Sequence, residues 1–177
     1  MKKTLLRVMG LGATVLLAAC TPTYPSLPTV HAVDLDRYVG TWYEIARLPN
    51  RFQAMCVSDT QATYRPEGNK LSVVNQCRTA DGQVEQADGI AKVVAGSRGA
   101  RLRVSFFRPF YGDYWILDLD PDYRWVLVGE PSRNYAWILA RQPRLDDTTR
   151  EALLNRAAAL GFDRQAFIST PHTDTKH

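Results

Sequence analysis

Side chains that could support acid–base catalysis are scarce in this 177-residue chain. Its three histidines are His31, His172 and His177, and all lie outside the predicted run of strands described below. No histidine is therefore expected beside a nucleophile or as an axial haem ligand. Glu44 and Asp118 could form a glycosidase-like pair if both point inward, but we favour ordinary polar groups near the floor of the fold. We predict no catalytic residue, no metal site and no cofactor.

Cys20 is the residue best placed for covalent modification. It ends the segment Leu17-Ala18-Ala19-Cys20, whose small residues before a cysteine are typical of a bacterial lipobox. In such a motif a peptidase cuts before the cysteine, the thiol takes a diacylglycerol and the freed amine takes a further acyl chain. Several acyl chains give stable anchoring, whereas a single chain gives only marginal binding. We predict lipidation at Cys20.

The residues before Cys20 have the layout of a secretory signal, which we assign to residues 1–19. Lys2, Lys3 and Arg7 precede an apolar run from Val8 to Ala19, as a charged region precedes the apolar region of a signal peptide. The run has about twelve residues against the roughly 20 that span a bilayer. A transmembrane anchor is therefore the weaker interpretation.

The segment 20–33 is predicted to be a lipidated N-terminus followed by a proline-rich tether. Thr21 stands where an Asp retains lipoproteins in the inner membrane of enteric bacteria, so Thr21 favours the outer membrane, with the remaining domain facing the periplasm.

Removing the predicted signal also changes the net charge. The whole chain is +4, but loss of Lys2, Lys3 and Arg7 leaves 19 basic and 18 acidic residues. A net charge of +1 gives no support for nucleic-acid binding.

Cys56 and Cys77 remain once Cys20 is acylated. An even pair in an oxidising periplasm predicts a disulfide, and the absence of a CxxC spacing argues against metal or thioredoxin-like chemistry. If the strands around them form a hairpin about Pro66–Asn69, the two cysteines lie nearly opposite each other at its open end. This arrangement is within disulfide reach; free thiols would instead bring back the possibility of a thiol enzyme.

The body of the chain consists of short β-rich runs separated by turn residues such as Asp81-Gly82 and Asp120-Pro121-Asp122. The predicted strands are Thr41–Leu48, Val57–Arg65, Lys70–Arg78, Val84–Val93, Arg101–Phe107, Tyr114–Leu119, Arg124–Glu130 and Tyr135–Arg141. Short connections favour antiparallel neighbours in an up-and-down order. Eight such strands can close into a barrel with room for one small ligand. An open sandwich is the runner-up architecture.

One helix is predicted after the strands. Thr148-Thr149-Arg150-Glu151 has the pattern of a capping box, and Leu153, Leu154, Ala157 and Leu160 form an apolar stripe that ends near Gly161. We expect the stripe to pack against the barrel. The domain is predicted to span 34–170, and the polar tail 171–177 to be disordered.

Three short motifs resemble those of the lipocalins. Gly40-Thr41-Trp42-Tyr43 is similar to the motif that opens the first lipocalin strand, Asp120–Tyr123 to the second motif, and Arg141 to the arginine that ends the last strand. The residues carried over are Gly40, Trp42, Tyr123 and Arg141. The resemblance covers Asp34 to Ile168 and is closest to the bacterial outer-membrane lipocalins, on Gly40–Arg47, Val104–Tyr111 and Tyr135–Arg141.

This resemblance implies an eight-stranded antiparallel β-barrel with one C-terminal helix, closed at one end by Arg141 stacked on Trp42. It also implies binding of a fatty acid or lysophospholipid, with a role in lipid transfer, storage or repair at the envelope. Strand alternation, together with the resemblance, places Asp118 and Leu127 inward and gives as pocket candidates Tyr64, Phe106, Tyr114, Trp125 and Trp137. Arg108 and Tyr111 could form the rim, and an exposed loop with Phe107, Phe110 and Tyr111 could rest on a membrane surface.

Two other classes of function stay open. A structural envelope lipoprotein would have a barrel filled by side chains and would hold no lipid. An enzyme built on the same scaffold is the less favoured class. The sequence allows a monomer or a homodimer.

Overall fold

The computed structural model describes residues 26–173, in which eight antiparallel strands form a closed barrel. The strands are β1 (Gly40–Arg47), β2 (Cys56–Glu67), β3 (Lys70–Thr79), β4 (Val84–Val93), β5 (Arg101–Phe107), β6 (Phe110–Leu119), β7 (Trp125–Gly129) and β8 (Ala136–Ala140). Each strand pairs with the next in sequence, and β1 pairs with both β8 and β2. The predicted up-and-down barrel is confirmed and the open sandwich is wrong.

The strands of two hairpins extend further than the turn residues of the sequence predicted. In the β2–β3 hairpin Glu67 pairs with Lys70, so the turn contains only Gly68 and Asn69. Gly68 has a φ of +62°, a conformation that glycine adopts without steric cost. Strand β6 begins at Phe110 rather than at the predicted Tyr114, because Phe107 pairs with Phe110. The connection between β5 and β6 is therefore a tight turn, whereas the predicted strand bounds left a longer loop there.

Helix α2 (Asp147–Ala159) packs on the outside of the barrel, as predicted. Its cap is Asp146, whose side chain accepts a hydrogen bond from the backbone N–H of Thr149, so the predicted capping box at Thr148 is wrong by two residues. Leu153, Leu154 and Ala157 are buried in a cluster with the outer faces of β1, β6, β7 and β8. A Cβ on Gly129 would lie 2.5 Å from the Phe162 ring, so the glycine permits this close approach.

The residues preceding the barrel are more closely packed than a free tether. The N–H of Val30 donates to the carbonyl of Ile116 and that of Val33 to the carbonyl of Arg98, while Leu27 is buried against the outer cluster. Helix α1 (Leu35–Tyr38), capped by the Asp34 side chain, then crosses one end of the barrel. The prediction of a free tether is therefore wrong for residues 27–33. Residues 20–25 of the predicted tether lie outside the described residues.

The C-terminal segment is also bound to the barrel beyond the predicted boundary. Strand β9 (Ile168–Ser169) pairs with the last residues of β1. The carbonyl of Pro171 accepts from the N–H of Asp59 at 2.9 Å, and Thr173 donates to the Asp59 carboxylate through its N–H and its hydroxyl. Disorder from Pro171 is therefore wrong for residues 171–173. No helix in the described part of the chain is long and apolar enough to cross a membrane.

Candidate functional site: a calyx with a sealed floor and an open mouth

The end of the barrel where β1 begins is sealed by Trp42 and Arg141. Trp42 is fully buried, and the guanidinium carbon of Arg141 lies 3.8 Å from the centroid of its ring. Arg141 also donates to the carbonyls of Thr41, Arg37 and Tyr38 at 2.9, 2.7 and 3.1 Å, and the indole N–H of Trp42 donates to the Tyr38 carbonyl. One planar cation thus ties β1, β8 and α1 together.

Gly40 and Tyr123 complete this floor. Gly40 has a φ of +98°, and a Cβ there would lie 3.3 Å from Nη1 of Arg141. The hydroxyl of Tyr123 accepts from the backbone N–H of Asp34 at 2.8 Å, and its ring lies 4.2 Å below the guanidinium of Arg37. The four lipocalin-motif residues therefore lie together at the floor of the barrel. Their role there is structural, through packing and through hydrogen bonds with backbone groups.

Above the floor, three tyrosines fill the centre of the barrel. The hydroxyls of Tyr38 and Tyr114 are 2.7 Å apart, and the ring of Tyr64 lies 5.7 Å from that of Tyr38 and 6.2 Å from that of Tyr114. Burial raises the pKa of all three phenols well above the ordinary value. They are therefore neutral hydrogen-bonding groups and not bases at physiological pH.

The inward-facing positions become accessible in the upper half of the barrel. Phe106 is 43% exposed although its ring covers Gly89 inside the barrel, and Ala62, Val104 and Trp137 are half-buried. Gly112 pairs with the inward-facing Val104, and a Cβ added there would meet no atom within 4 Å. The structure thus has an apolar calyx that is closed below and open above.

A polar cluster lies on one side of the mouth. The carboxylate of Glu44, only 2% exposed, accepts from the side-chain amide of Gln53 at 2.6 Å and lies 3.3 Å from Nε of Arg47. Thr170 donates to the same carboxylate, and Gln53 accepts from the indole N–H of Trp137 at 3.0 Å. Burial raises the pKa of Glu44, against the lowering effect of the hydrogen bonds from Thr170 and Gln53.

The structure brings four of the five predicted pocket residues together. Tyr64 and Tyr114 form the base of the calyx, while Trp137 and Phe106 line its upper wall. Trp125 is the exception, because it pairs with Ala140 and shares the outer face with that residue, against the helix side. The inward-facing residues of β7 are Val126 and Val128. The predicted inward placement of Trp125 and Leu127 is therefore wrong.

Asp118 also points outward, contrary to the prediction. A bulge between Ile116 and Asp118 shifts the alternation of β6, and Asp118 instead pairs with Arg156 of α2 at 3.4 Å. Glu44 is thus left without the second inward carboxylate that a glycosidase-like pair would require.

The cysteines and histidines offer no nucleophilic arrangement in the described residues. Cys56 and Cys77 form the predicted disulfide, with a Cα–Cα distance of 5.5 Å. His172 packs against β1. Its imidazole lies edge-on to the ring of Tyr43, and its Nε2 lies 2.7 Å from the carbonyl oxygen of Glu44. Within residues 26–173 no group of three or more His, Cys, Asp and Glu residues could hold a metal ion. Cys20 lies outside the described residues.

Sequence reasoning missed Tyr38 and Gln53 as site residues. Tyr38 is the last residue of α1, and its carbonyl accepts the hydrogen bond from the Trp42 indole, which fixes its position above the floor. Gln53 lies in a short 3₁₀ turn (Arg51–Gln53) capped by Asn50, whose side chain accepts from the N–H of Gln53. The Asn50-x-x-Gln53 spacing was the available signal for that turn, but it does not show that the turn folds over the mouth.

Comparisons with known proteins agree with this geometry. A model of the lipocalin-like domain matches residues 33–172. The chain is 42% identical to the outer membrane lipoprotein Blc of Escherichia coli (strain K12) over 161 residues, which cover 88% of this chain and 90% of that protein. It is 38% identical to temperature-induced lipocalin-1 of Arabidopsis thaliana over 84% of each chain. Among solved structures, insecticyanin of the tobacco hornworm superimposes with a TM-score of 0.69 at 24% identity, covering 86% of this chain and 87% of that one.

The chain therefore belongs to the lipocalin family. Lipocalins are in general binders or carriers of small hydrophobic molecules rather than enzymes. The open apolar calyx described above agrees with that class of function.

Proposed function

We propose that this chain is a lipid-anchored envelope lipocalin that binds and stores or transports one single-chain lipid, a fatty acid or a lysophospholipid. The observation that carries the proposal is the upper calyx, where inward-facing Phe106, Val104 and Trp137 stay accessible above a sealed floor. Apolar surface held open inside a barrel is stabilised when an apolar ligand covers it.

The side chains that line the calyx favour a narrow ligand. Tyr64 and Tyr114 fill the lower barrel, while Gly112 leaves open space in the upper wall and Gly89 is covered by the ring of Phe106. One acyl chain fits this shape better than a bulky ring system. Arg47 and Gln53 at the mouth can then contact a phosphate or carboxylate head group, since a guanidinium recognises both.

The proposed cellular location rests on Cys20 and on the relatives. Outer membrane lipoprotein is the description of the relatives from Escherichia coli, Citrobacter freundii and Vibrio cholerae, which are 34–42% identical to this chain. With the lipobox and Thr21, this supports an acylated protein of the outer membrane whose barrel faces the periplasm and acts in membrane lipid maintenance. The intact mass of protein extracted from membranes tests the acylation, because removal of residues 1–19 and addition of acyl chains both change it.

Filling the calyx tests the binding function directly. Gly112→Phe places a ring in the open upper wall, where a new Cβ meets no neighbour. We expect binding of a fluorescent fatty acid to weaken at least about tenfold, the equivalent of about 1.4 kcal/mol, while the thermal unfolding midpoint stays within a few degrees. Asp113→Phe is the matched control: it adds the same ring on the outer face and removes only an exposed ion pair with Arg103. Equal binding by both variants would contradict the proposed site.

A structural lipoprotein with a filled barrel is the second candidate. It is favoured by the complete burial of Tyr38, Trp42, Leu102 and Ile116, which occupy the lower barrel. Under that hypothesis the unsubstituted protein binds neither fatty acids nor lysophospholipids, and Gly112→Phe changes nothing.

A further inference from the structure

Exposed apolar side chains are concentrated at the mouth of the barrel. Within residues 26–173 nine large apolar side chains are exposed, and eight of them lie at the open end. These eight are Phe52, Met55, Val57, Val84, Phe106, Phe107, Phe110 and Ile168. The ninth, Val93, lies at the closed end. Such a cluster marks an interaction surface, because soluble domains rarely leave contiguous apolar patches exposed.

Two of the four connections at the mouth carry four of these eight side chains. The β1–β2 connection (48–55) presents Phe52 and Met55, which are 58% and 51% exposed. The tip of the β5–β6 hairpin (107–110) presents Phe107 and Phe110, which are 75% and 70% exposed and stack with their rings 6.2 Å apart. These connections are four strands apart in a ring of eight, so they lie on opposite sides of the mouth. We call them the two apolar tips.

The charges of the two apolar tips have one sign. Arg51 is the charged residue of 48–55, and Arg108 is the charged residue of 107–110. Both are exposed. Neither segment contains an acidic residue. Aromatic side chains beside a single arginine suit the interface of an anionic bilayer, where rings enter the boundary region and guanidinium groups meet lipid phosphates.

The other two connections at the mouth are different. The β3–β4 connection contains Asp81, whose carboxylate accepts from the hydroxyl of Thr79. The β7–β8 connection contains Glu130, whose carboxylate accepts from the N–H groups of Ser132 and Asn134. The β7–β8 connection also contains Arg133, which balances the charge of Glu130. Of the four connections at the mouth, the two apolar tips are therefore the ones that carry a net positive charge, which favours their contact with an anionic surface.

The chain that precedes the described residues limits the distance between the barrel and an anchored Cys20. Leu27 is packed on the outer face of the barrel. The seven residue-to-residue steps from Cys20 to Leu27 can span at most about 25 Å even when fully extended. Such a connection keeps the barrel within about 25 Å of the membrane surface, so contact between the two requires no large displacement.

We propose that the two apolar tips dock the mouth of the barrel on an anionic phospholipid bilayer, so that the calyx opens directly onto the lipid surface. This inference rests on the proposed function in that it takes Cys20 to be acylated and the calyx ligand to be a lipid. It adds an orientation: the mouth faces the bilayer, and the sealed floor faces away from it. A lipid can then pass between bilayer and calyx without crossing water.

Flotation of the chain without its acyl anchor tests the docking. Residues 21–177, which contain every contact described here, are secreted behind a signal sequence lacking cysteine and mixed with phosphatidylglycerol–phosphatidylethanolamine vesicles. We expect co-flotation that falls at least about tenfold in the Phe107→Ser/Phe110→Ser variant, since two interfacial aromatic rings contribute more than the 1.4 kcal/mol of a tenfold change. Arg51→Gln/Arg108→Gln should reduce flotation on anionic but not on zwitterionic vesicles. Val93→Ser, at the closed end, is the matched control and should leave flotation unchanged.

Three results would overturn the docking. The first is that Phe107→Ser/Phe110→Ser and Val93→Ser float equally well. The second is that the unsubstituted chain does not float with the vesicles. The third is a monomer–dimer equilibrium, seen in sedimentation, that the tip substitutions abolish, because the apolar tips would then cover a second copy of this chain. Fluorescent fatty-acid binding is measured on the same variants. Loss of flotation with normal binding supports docking as a separate property, and absence of binding in the unsubstituted chain would count against the proposed function alone.

Discussion

The two ends of this barrel differ in the burial of their large side chains. At the floor, Arg141 is stacked on Trp42 and hydrogen-bonded to four carbonyls, and Trp42 is completely buried. At the mouth, Phe107 and Phe110 are mostly exposed, and Phe106 and Trp137 remain partly accessible. The comparison indicates that the floor supplies stability, while the mouth keeps unburied apolar surface available for ligands.

The same contrast is visible in two buried carboxylates. Asp120, in the β6–β7 connection at the floor, accepts from the Arg124 side chain twice at 2.8 Å and from two backbone N–H groups. The hydrogen bonds from Arg124 lower the pKa of Asp120. Burial raises the pKa of Glu44 at the mouth. Ionisation of Asp120 therefore stabilises the fold at neutral pH, whereas ionisation of Glu44 opposes it.

The largest expected effect is on the floor. Trp42→Ala removes a fully buried indole and the stacking partner of Arg141, and we expect a loss of about 3–5 kcal/mol in the free energy of unfolding. Chemical denaturation monitored by circular dichroism measures it. A loss below about 1 kcal/mol, which is within the range of minor core changes, would contradict the floor's role in stability.

Arg141→Lys tests whether the floor needs a guanidinium rather than a charge. Lysine keeps the positive charge but cannot stack as a plane while donating to the carbonyls of Thr41, Arg37 and Tyr38. We expect a loss of about 1–3 kcal/mol from the unsatisfied carbonyls, again measured by denaturation. A variant as stable as the original would mean that charge alone seals the barrel.

Asp120→Asn should have a pH-dependent cost. The folded-state pKa of Asp120 lies below its unfolded value, so its contribution is present above the unfolded pKa near 4 and is lost as pH falls through the folded pKa. We expect the variant to be less stable by about 1–3 kcal/mol at pH 7 and the difference to shrink as the pH falls below the unfolded pKa. Denaturation curves across this range check the sign, and a difference independent of pH would contradict it.

The smallest effect on stability is expected at the mouth. Trp137→Ala removes a half-buried ring and its hydrogen bond to Gln53, so the free energy of unfolding should fall much less than in Trp42→Ala. Fatty-acid affinity should nevertheless weaken about tenfold, equivalent to about 1.4 kcal/mol. If Trp137→Ala destabilises the barrel as much as Trp42→Ala and leaves affinity unchanged, the division between floor and mouth is wrong.

Most of the fold could be predicted from sequence because its signals are local. Turn residues such as Asp81-Gly82 separate the strands, and β4 and β5 have the predicted bounds of Val84–Val93 and Arg101–Phe107. The disulfide followed from hairpin pairing, although two irregularities in β2 shift its register near Cys56. The floor followed from the resemblance, because its motif residues act through backbone geometry that the family shares.

The site was less predictable because strand alternation fails wherever the register shifts. The bulge after Ile116 turned Asp118 outward, and the pairing of Trp125 with Ala140 placed that indole under the helix. A one-residue shift reverses every side chain of a strand, and no local pattern in β6 or β7 marks the shift. Gln53 was missed for a related reason, since its contacts depend on how the β1–β2 connection folds back over the mouth.

The most direct test of the central claim is native mass spectrometry, with lipid extraction, of residues 21–177 purified from the periplasm. We expect about one co-purified fatty acid or lysophospholipid per chain, and its loss in Gly112→Phe but not in Asp113→Phe. A barrel that is empty as purified, and that also fails to bind added fatty acids and lysophospholipids, would contradict the proposed lipid binding and favour the structural lipoprotein.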